Sequence, residues 1–367
     1  IHDLLLTTIY AARRELIITS PYFVPDSAIL AALKSASQRG VDVSIIVVAW
    51  NVKKLLQDCL RSVYEHTHEA TFEVVYVDNG SQDGSVEMVR REYPQVHLIE
   101  NAQNEGFIKA NNQGIEVARG RYVLLLNSDT ILLDDVVAGL VRFADAHPEA
   151  AVVGPRVLNP DGTLQRNCFM FPSVLNMFLF ATYLNKMFPR SRFFGRERMT
   201  WWDFDEARQV ETVCGCCSLV RKAAIDQVGM MDPRYFVYGD DPDWCYRFRQ
   251  AGWTVWFAPV GRIIHLGGQN TRQMARKFRW QLAGSTLLFV KLHRGPAAFW
   301  AARLLHALFF WLRLPYWIGA GLIGRPRAWQ QVGTYAAGGW FCLAAWKRLL
   351  MKRDVVEEKI SEPVVAR

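Results

Sequence analysis

The sequence lacks both of the glycine-rich loops that cradle nucleotide phosphates in many enzymes. No stretch of its 367 residues matches GxxxxGK[ST], and no GxGxxG opens a helix. If a nucleotide binds to this chain, its phosphates must therefore be held through a metal ion. Such an ion would take one or two carboxylates from the protein and oxygen ligands from the phosphates.

Paired cysteine motifs are also missing. The chain has seven cysteines, an odd number, and only Cys214, Cys216 and Cys217 lie close together. No second Cys/His pair stands at zinc-ligand spacing, so these residues are predicted to be small buried side chains rather than a metal site. Residues Ile1–Tyr10 show neither a basic lead nor a cleavage site, so we expect no signal peptide and a reducing compartment with free thiols.

Acidic residues are absent from Thr271–Arg353, which contains fourteen lysines and arginines interleaved with Trp, Phe and Leu. This pattern favours an anionic lipid surface over nucleic acid as the partner. Arg303, His306 and Arg313 fall within an arc of roughly 80° at 100° per residue, and the rest of that helix is apolar. We expect a helix lying in the membrane interface; a buried helix hairpin is the alternative.

Between residues 42 and 270, short apolar runs alternate with amphipathic stretches. Strands are predicted at Val43–Val48, Glu73–Val77, Val96–Ile99, Tyr122–Leu126 and Val152–Val153, with helices such as Lys53–Glu65 between them. Buried strands separated by helices predict an α/β fold with a mostly parallel sheet covered on both faces. Ligands of such sheets bind beyond the carboxyl ends of the strands.

Polar residues directly follow three of these strands. Asn51 follows the first, Asp78-Asn79 the second, and Asn127-Ser128-Asp129 the fourth. One such residue alone is most simply a turn former or a helix cap. Three of them at one sheet edge favour a binding crevice, in which Asp129 is the natural ligand for Mg²⁺ or Mn²⁺.

Motifs in a fixed order then identify a resemblance. VSIIVVAWN, VVYVDNGSQDGS, NEGFIKANNQGI and LLLNSDT are followed by GCCSLVRK, YGDDPDWCYRFRQAGW and HLGGQNT. Together they resemble family 2 glycosyltransferases over residues 42–300. The resemblance implies the glycosyltransferase A fold and inverting transfer from a nucleotide sugar. The branch that it resembles is the bacterial rhamnosyltransferases of surface-polysaccharide assembly, which use dTDP-rhamnose.

The resemblance also implies roles for individual residues. Asp241 matches the catalytic base, Asp129 and His265 match the metal ligands, and Asp240 and Trp244 fall at the acceptor site. The donor site would contain Asn51, Asp78, Asn79, Asn104, Asn127 and Arg247, with Asp78 reading the pyrimidine edge. Asn127 stands where the family's DxD-type motif has its first Asp. Taken alone, Asp240-Asp241-Pro242 also fits a turn before a helix, and His265 also fits a structural histidine.

The first 41 residues resemble another family. SPYFVPD (Ser20–Asp26) and ALKSASQRGVDV (Ala32–Val43) are similar to cardiolipin synthases of the phospholipase D superfamily. That chemistry needs HxKxxxxD, whereas His2 is followed by Asp3 and Leu4. We therefore interpret residues 1–41 as a non-catalytic αβα fragment, residues 42–270 as the transferase domain, and residues 271–367 as a membrane-associating helical region with an acidic tail.

The sequence therefore predicts a metal-dependent glycosyltransferase on the cytoplasmic face of the bacterial inner membrane. Its acceptor is expected to be lipid-linked or a polysaccharide, and no nucleic acid partner is expected. The alternative is a non-catalytic, membrane-associated binder of nucleotide sugars, to which only Asn127 points.

Deleting residues 1–40 tests the interpretation of the N-terminal fragment. Because that fragment lacks its own catalytic motif, we expect a chain starting at Val41 to retain nearly all transferase activity, measured as nucleotide release from a sugar donor. A shortened chain that folds normally, judged by circular dichroism, but is inactive would contradict this interpretation.

Overall fold

The computed structural model describes residues 41–267 and 275–350, with side chains from residue 280 onward in the second range. The predicted N-terminal αβα fragment and the acidic tail lie outside these residues. The strands are β1 Val43–Ala49, β2 Phe72–Asp78, β3 His97–Glu100, β4 Tyr122–Asn127, β5 Thr130–Leu132, β6 Ala150–Leu158, β7 Cys168–Phe169, β8 Arg208–Gln209, β9 Thr212–Val213, β10 Cys217–Arg221 and β11 Thr254–His265.

Helices connect and cover these strands. They are α1 Lys53–His66, α2 Ser85–Glu92, α3 Phe107–Val117, α4 Val136–Ala146, α5 Val174–Ala181, α6 Leu184–Met187, α7 Lys222–Val228, α8 Asp240–Gln250, α9 Ala275–His293, α10 Gly295–Trp311, α11 Leu314–Leu322 and α12 Ala328–Ala344. A 3₁₀ turn at Trp346–Leu349 follows α12. The predicted strands and the helix after β1 are thus confirmed, with most ends shifted by a residue or two.

Within the described ranges, one large sheet has the strand order β3-β2-β1-β4-β10-β6-β11-β5, and β8 pairs with β11 at its side. The pairs β1–β2, β1–β4, β2–β3 and β6–β11 are parallel. β10 runs antiparallel between β4 and β6, and β5 runs antiparallel to β11. A mostly parallel sheet flanked by helices is the predicted fold class, and the structure confirms it.

Two apolar layers cover the two faces of the sheet. Consecutive strand residues point to opposite faces, so Ile45 packs with Leu56 and Leu140 of α1 and α4, while Ile46 packs in the layer that contains Ile115 of α3. The second layer continues without a break into α9 and α10, where Phe310 belongs to it. The C-terminal helices are therefore part of the same core as the sheet.

A polar contact inside the sheet ties the start of β1 to the turn before β4. Ser44 is fully buried; its hydroxyl donates to Glu73 at 2.5 Å and accepts from the backbone N–H groups of Arg119 at 3.0 Å and Gly120 at 2.8 Å. Glu73 also accepts from the Arg119 N–H. The Arg119 N–H thus has a second acceptor, whereas the buried Gly120 N–H relies on the Ser44 hydroxyl.

The C-terminal helices turn their arginines inward. Arg303 is 8% exposed and donates to the carbonyls of Cys342 and Leu343 at the end of α12. Arg313 is equally buried and donates to the Phe309 carbonyl. The predicted polar arc therefore faces protein rather than water, because the carbonyls at a helix end need donors.

Apolar side chains consequently occupy the outside of α10 and α11. We call this the outward apolar face; it consists of Trp300, Leu304, Leu308, Trp311 and Tyr316, all exposed. Residues Gly295–Leu322 are also long and apolar enough to cross a membrane by length and composition alone, which is weak support for a span. Within this stretch, the two residues Leu312 and Arg313 separate α10 from α11.

Replacing Ser44 by Ala tests the polar contact in the sheet. We expect the free energy of unfolding to fall by about 1–3 kcal/mol, because the buried Gly120 N–H loses its acceptor. Urea denaturation measures the change. Thr163→Ala is the control: its hydroxyl bonds Asp161 at the exposed surface, so the loss should stay within about 0.5 kcal/mol. Equal losses in the two variants would contradict the role of Ser44.

Candidate active site

Three predicted site residues lie side by side at the carboxyl edge of the sheet. Asp78 is the last residue of β2 and pairs with Ala49 of β1; Asn127 ends β4 and pairs with Val48. Asn51 follows β1 two residues later, with a left-handed φ of 53°. The parallel register thus brings together residues that are far apart in sequence.

Asp78 shapes the loop that follows β2. It is buried; one oxygen accepts from the Tyr76 hydroxyl at 2.5 Å, and the other from the N–H groups of Gly80 and Ser81 at 3.1 and 2.8 Å. Asn51 closes the loop from the other side, because its Oδ1 accepts from the Gln82 N–H at 2.8 Å. Since a carboxylate has about four lone-pair sites, Asp78 retains acceptor capacity in a fixed position.

Asn79 and Asn104 form a second network beside this loop. The Asn79 amide donates to Asn104 Oδ1 at 2.9 Å and accepts from the Glu105 N–H at 2.9 Å. Asn104 Oδ1 also accepts from the Gly106 N–H. The two residues therefore hold residues 104–106 against β2, and they border the predicted donor site through the backbone that they position.

The predicted metal ligands meet at the far side of the same edge. His265 ends β11, which pairs with β5 so that His265 lies opposite Thr130, next to Asp129. His265 Nε2 is 3.3 Å from Asp129 Oδ1 and 3.5 Å from Asn127 Nδ2. Three of the predicted residues are thus brought into contact.

Gln165 fixes the orientation of the His265 ring. Its Oε1 is 2.6 Å from His265 Nδ1, and its Nε2 donates to the His265 carbonyl at 3.1 Å and to Asn159 Oδ1 at 2.9 Å. These two donor bonds fix which end of the amide is the oxygen, so His265 Nδ1 must carry a proton. In the neutral imidazole, Nε2 then presents a lone pair to the Asp129 carboxylate.

The Nε2 lone pair of His265 and the Asp129 carboxylate repel each other. A positive charge must therefore lie between the two groups or on the imidazole ring. Burial lowers the pKa of His265, but the hydrogen bond and charge of Asp129 outweigh it, so the pKa is raised above its ordinary value. A proton on Nε2 meets the requirement, and so does a divalent cation. Metal-bound histidines usually donate their other N–H to a second residue, as His265 does to Gln165.

The geometry of this pair fits a divalent cation. Neighbouring ligands of an octahedral ion with bonds of about 2.1 Å lie about 3 Å apart, close to the 3.3 Å between Asp129 and His265. A rotation of the Asn127 amide by 180° would place its oxygen, instead of Nδ2, on the side that faces His265. Within the described ranges, no group of three or more His, Cys, Asp or Glu side chains could hold a metal, so a cation here depends on Asn127 or on ligand oxygens.

Asp240 and Asp241 begin α8 beside this pair. Asp240 is buried, and its burial together with the charge of Asp241 raises its pKa well above the usual range. Burial and the nearby Cys214 raise the pKa of Asp241 to about 8. The Gly215 N–H bonds the Asp241 carboxylate, and a Cβ on Gly215 would lie 2.6 Å from Asp241 Oδ1. Glycine is therefore required for this close approach.

Cys214 connects the two halves of the site. The hydrogen bond from Cys216 lowers the pKa of Cys214. The charge of the Cys214 thiolate interacts with both His265 and Asp241. All seven cysteines are free thiols. The prediction of buried small residues is confirmed for Cys216 and Cys217, whereas Cys214 is half-buried.

Two predicted residues have other partners. Trp244 is 4% exposed, donates to the Gly229 carbonyl at 2.8 Å and packs on Phe248. Arg247 pairs with Asp243 at 2.9 Å and donates to the Val228 and Met230 carbonyls. Both hold α8 against the end of α7, and their predicted places at the acceptor and donor sites stay predictions.

Sequence reasoning missed Gln165 and Cys214 as site residues. Gln165 lies 100 positions from His265 and belongs to none of the motifs, so no local signal could have found it. Cys214 begins the CxCC cluster, but only the position of α8 shows that it lies between an aspartate and a histidine.

Comparison with known proteins gives a family. The model described as glycosyl transferase family 2 matches residues 44–229. N-acetylglucosaminyl-diphospho-decaprenol L-rhamnosyltransferase of Mycobacterium tuberculosis is 29% identical over 238 residues, which cover 62% of this chain and 76% of the relative.

Two further likenesses are more limited. Cardiolipin synthase A of Buchnera aphidicola is 44% identical over 80 residues, which are 22% of this chain and 16% of that protein. The structure of mannosyltransferase PcManGT from Pyrobaculum calidifontis, in complex with GDP-Man and Mn²⁺, has a TM-score of 0.51 and 18% identity and covers 83% of this chain and 82% of its own. At that identity it shows the fold alone.

Replacing Asp129 by Asn tests the ion pair with His265 in metal-free buffer. Because the pKa of folded His265 is raised, the pair stabilises the fold fully below the ordinary value of 6.5, and this stability is lost as pH rises through the folded pKa. We therefore expect the melting temperature of the variant to lie below that of the parent chain at low pH and to approach it at high pH.

Asp134→Asn is the matched control for this series. Asp134 pairs with Arg262 at 3.1 Å at the surface, and arginine stays charged throughout the range. Its effect on melting temperature should therefore not change with pH. A pH-independent difference for Asp129→Asn would contradict a protonated His265.

Proposed function

This chain belongs to glycosyl transferase family 2 and is a glycosyltransferase, and from that premise we propose an inverting, metal-dependent enzyme that moves rhamnose from dTDP-rhamnose onto a lipid-linked acceptor. The observation that carries the proposal is the convergence of Asp129, His265 and Asp241 around Cys214 at the carboxyl edge of the sheet.

The choice of sugar and acceptor rests on the relative in Mycobacterium tuberculosis, which is named for transfer of L-rhamnose and for a diphospho-decaprenol substrate. A polysaccharide acceptor is the other possibility within cell-surface glycan synthesis. The outward apolar face supports a lipid-linked acceptor, because an enzyme resting on a bilayer meets such acceptors in two dimensions.

Asp129 and His265 are the proposed ligands of Mg²⁺ or Mn²⁺, and Asn127 is the third contact. When bound, the ion would offset the negative charge that develops on the leaving diphosphate. The role of Gln165 is to hold the His265 ring so that Nε2 faces Asp129. Full activity in excess EDTA would contradict this part of the proposal.

Asp241 is the proposed base that takes the proton from the attacking hydroxyl of the acceptor. Inversion by a single displacement needs one such base. A pKa of about 8 makes Asp241 a stronger base than an ordinary carboxylate, and it is then mostly protonated at neutral pH. Asp240 lies beside the base at the acceptor side.

The donor nucleotide is proposed to bind against the loop after β2. Asp78 keeps an acceptor for the edge of the pyrimidine. Asn51 holds the loop from the β1 side, and the hydrogen bond between Asn79 and Asn104 joins the start of the loop to residues 104–106. Arg247 and Trp244 lie outside the proposed binding surface, since both are engaged in holding α8.

The C-terminal helices are proposed to dock on the cytoplasmic face of the bacterial inner membrane. Support comes from the outward apolar face and from exposed basic residues of the same helical region, among them Arg325, Arg327, Lys347 and Arg348. Aromatic side chains bordered by arginine and lysine are typical of helices in the interface. Residues 1–41 are proposed to be a non-catalytic cardiolipin synthase-like fragment outside the described residues.

The alternative of a non-catalytic binder of nucleotide sugars, to which Asn127 pointed, does not agree with membership of the glycosyltransferase family.

Asp241→Asn tests the transferase mechanism. The change keeps the shape of the side chain and removes the basic lone pair, so kcat should fall by roughly 10²–10⁴ while donor binding barely changes. In the parent enzyme kcat/KM should rise with pH up to about 8, the pKa of Asp241. The variant should lack this rise. Sugar transfer at a series of pH values measures both.

Asp240→Asn is the neighbouring control. Burial and the charge of Asp241 raise the pKa of Asp240 well above its ordinary value, and Asp240 is not the proposed base, so kcat should fall far less. A dead Asp240→Asn with an active Asp241→Asn would assign the base to the other carboxylate.

A further inference from the structure

A cavity of about 290 Å³ lies where the connection between β6 and β10 meets the C-terminal helices. We call it the junction cavity; its wall includes Phe171, Asn176, Arg196 and Glu211 from the connection and Val290 and Arg294 from the end of α9. Its volume is near the lower end of the roughly 300–1,000 Å³ of small-molecule sites. It therefore suits a small group rather than a whole lipid.

Two polar atoms of the wall have no partner within the described part of the chain. Asn176 is 3% exposed, and its Nδ2 donates to the Phe171 carbonyl at 3.1 Å, which fixes the amide orientation and leaves Oδ1 without a donor. Arg196 Nε is buried and has no acceptor. Buried polar groups are almost always satisfied, so this pair points to a ligand that both accepts and donates.

The charge of the wall favours an anion. Arg196 and Arg294 carry two positive charges against one carboxylate, Glu211, whose Oε2 already accepts from the Phe171 N–H at 2.5 Å. The N terminus of α5, capped by Ser173, lies in the same wall, and helix N termini favour negative groups. Residues 162–196 contain no aspartate or glutamate. The ligand is thus an anion that also carries a hydroxyl group.

The cavity borders the surface proposed to meet the membrane. α5 packs on α10 through Phe180 and Phe309, whose rings are stacked 5.1 Å apart, and Arg313 lies 4.1 Å over the ring of Tyr183. Phe178, Met187 and Phe193 of the connection are exposed. The connection thus carries exposed apolar side chains of its own, and the cavity lies where the connection packs on α9 and α10.

We propose that the junction cavity binds the phosphoglycerol headgroup of a bilayer lipid. The phosphate lies against Arg196 and the α5 N terminus, and a headgroup hydroxyl donates to Asn176 Oδ1. This inference rests on the membrane docking of the proposed function. It adds a specific lipid site, formed in part by the β6–β10 connection, to a surface that otherwise attracts any anionic lipid.

Co-sedimentation of the full-length chain with two kinds of vesicle tests the site. One kind contains phosphatidylcholine with phosphatidylglycerol, the other phosphatidylcholine with the same mole fraction of oleate, which supplies negative charge without phosphate or hydroxyl. Because hydrogen bonds to charged groups are worth about 1.5–3 kcal/mol, the parent chain should prefer phosphatidylglycerol by about tenfold or more.

Variants separate the cavity from general charge attraction. Arg196→Gln and Asn176→Leu should abolish the preference, and Arg196→Lys should keep part of it. Arg190→Gln removes an exposed charge outside the cavity and should weaken binding to both vesicles equally. Thermal melts identify a variant that fails to fold. If Arg196→Gln or Asn176→Leu does not fold, the vesicle preference of the other, folded variant tests the site. A preference that persists in folded Arg196→Gln overturns the site.

Two more measurements separate the bilayer lipid from a soluble phosphate ester and the cavity from the transferase reaction. If glycerol 1-phosphate raises the melting temperature of the parent chain but not of Arg196→Gln, while neither vesicle is preferred, the site takes a soluble phosphate ester and the lipid assignment is wrong. Transfer to a short soluble acceptor in detergent should be unchanged in Arg196→Gln. Absence of transfer in the parent chain would overturn the proposed function alone, since the vesicle preference is measured without turnover.

Discussion

The antiparallel pairing of β5 with the end of β11 is the contact on which the site depends. It joins Thr130 to His265, and the Leu266 N–H bonds the Asp129 carbonyl at 2.9 Å, so two segments far apart in the chain are held within one hydrogen-bond ladder. The same strand β11 pairs in parallel with β6 on its other side. The long strand therefore brings a distant histidine to the edge at which β1, β2 and β4 end.

Burial of acidic groups sets the chemistry at this edge. Asp240 is buried, Asp241 and Cys214 are half-buried beside it, and each negative charge makes the next one less favourable. The positive counterpart comes from His265 or from a cation held by it. A bound diphosphate and its ion would change this balance, which couples donor binding to the protonation of the proposed base.

The C-terminal helices are joined to this arrangement by side-chain contacts. His293 of α9 bonds Asp243 at 2.7 Å, and Gln281 donates to the Val237 carbonyl, so α9 is fixed both to the turn and to the helix that carry Asp241. Arg303 and Arg313 serve as internal donors, which leaves the outside of α10 free to be apolar. The position of the outward apolar face relative to Asp241 is therefore set by side-chain contacts within one continuous core.

Sequence alone determined the alternation of strands and helices, the sheet edge at which Asn51, Asp78 and Asn127 meet, and the family to which the motifs belong. The first two follow from hydrophobic periodicity and from strand ends, which are local properties of the chain. The family follows from the resemblance of the ordered motifs to those of family 2 glycosyltransferases. The tertiary structure decided which polar side chains face the crevice. Trp244 and Arg247 lie within a site motif but point into the packing of α8, whereas Gln165 lies in no motif and holds His265.

Arg303 and Arg313 show the same difference between what the sequence predicts and what tertiary packing decides. Their spacing predicted a shared polar arc on one helix, but Arg303 donates to carbonyls at the end of α12, and Arg313, which follows α10, donates to the Phe309 carbonyl near the end of α10. The direction of a side chain depends on which distant segment packs against it. Spacing along one segment contains no information about that partner.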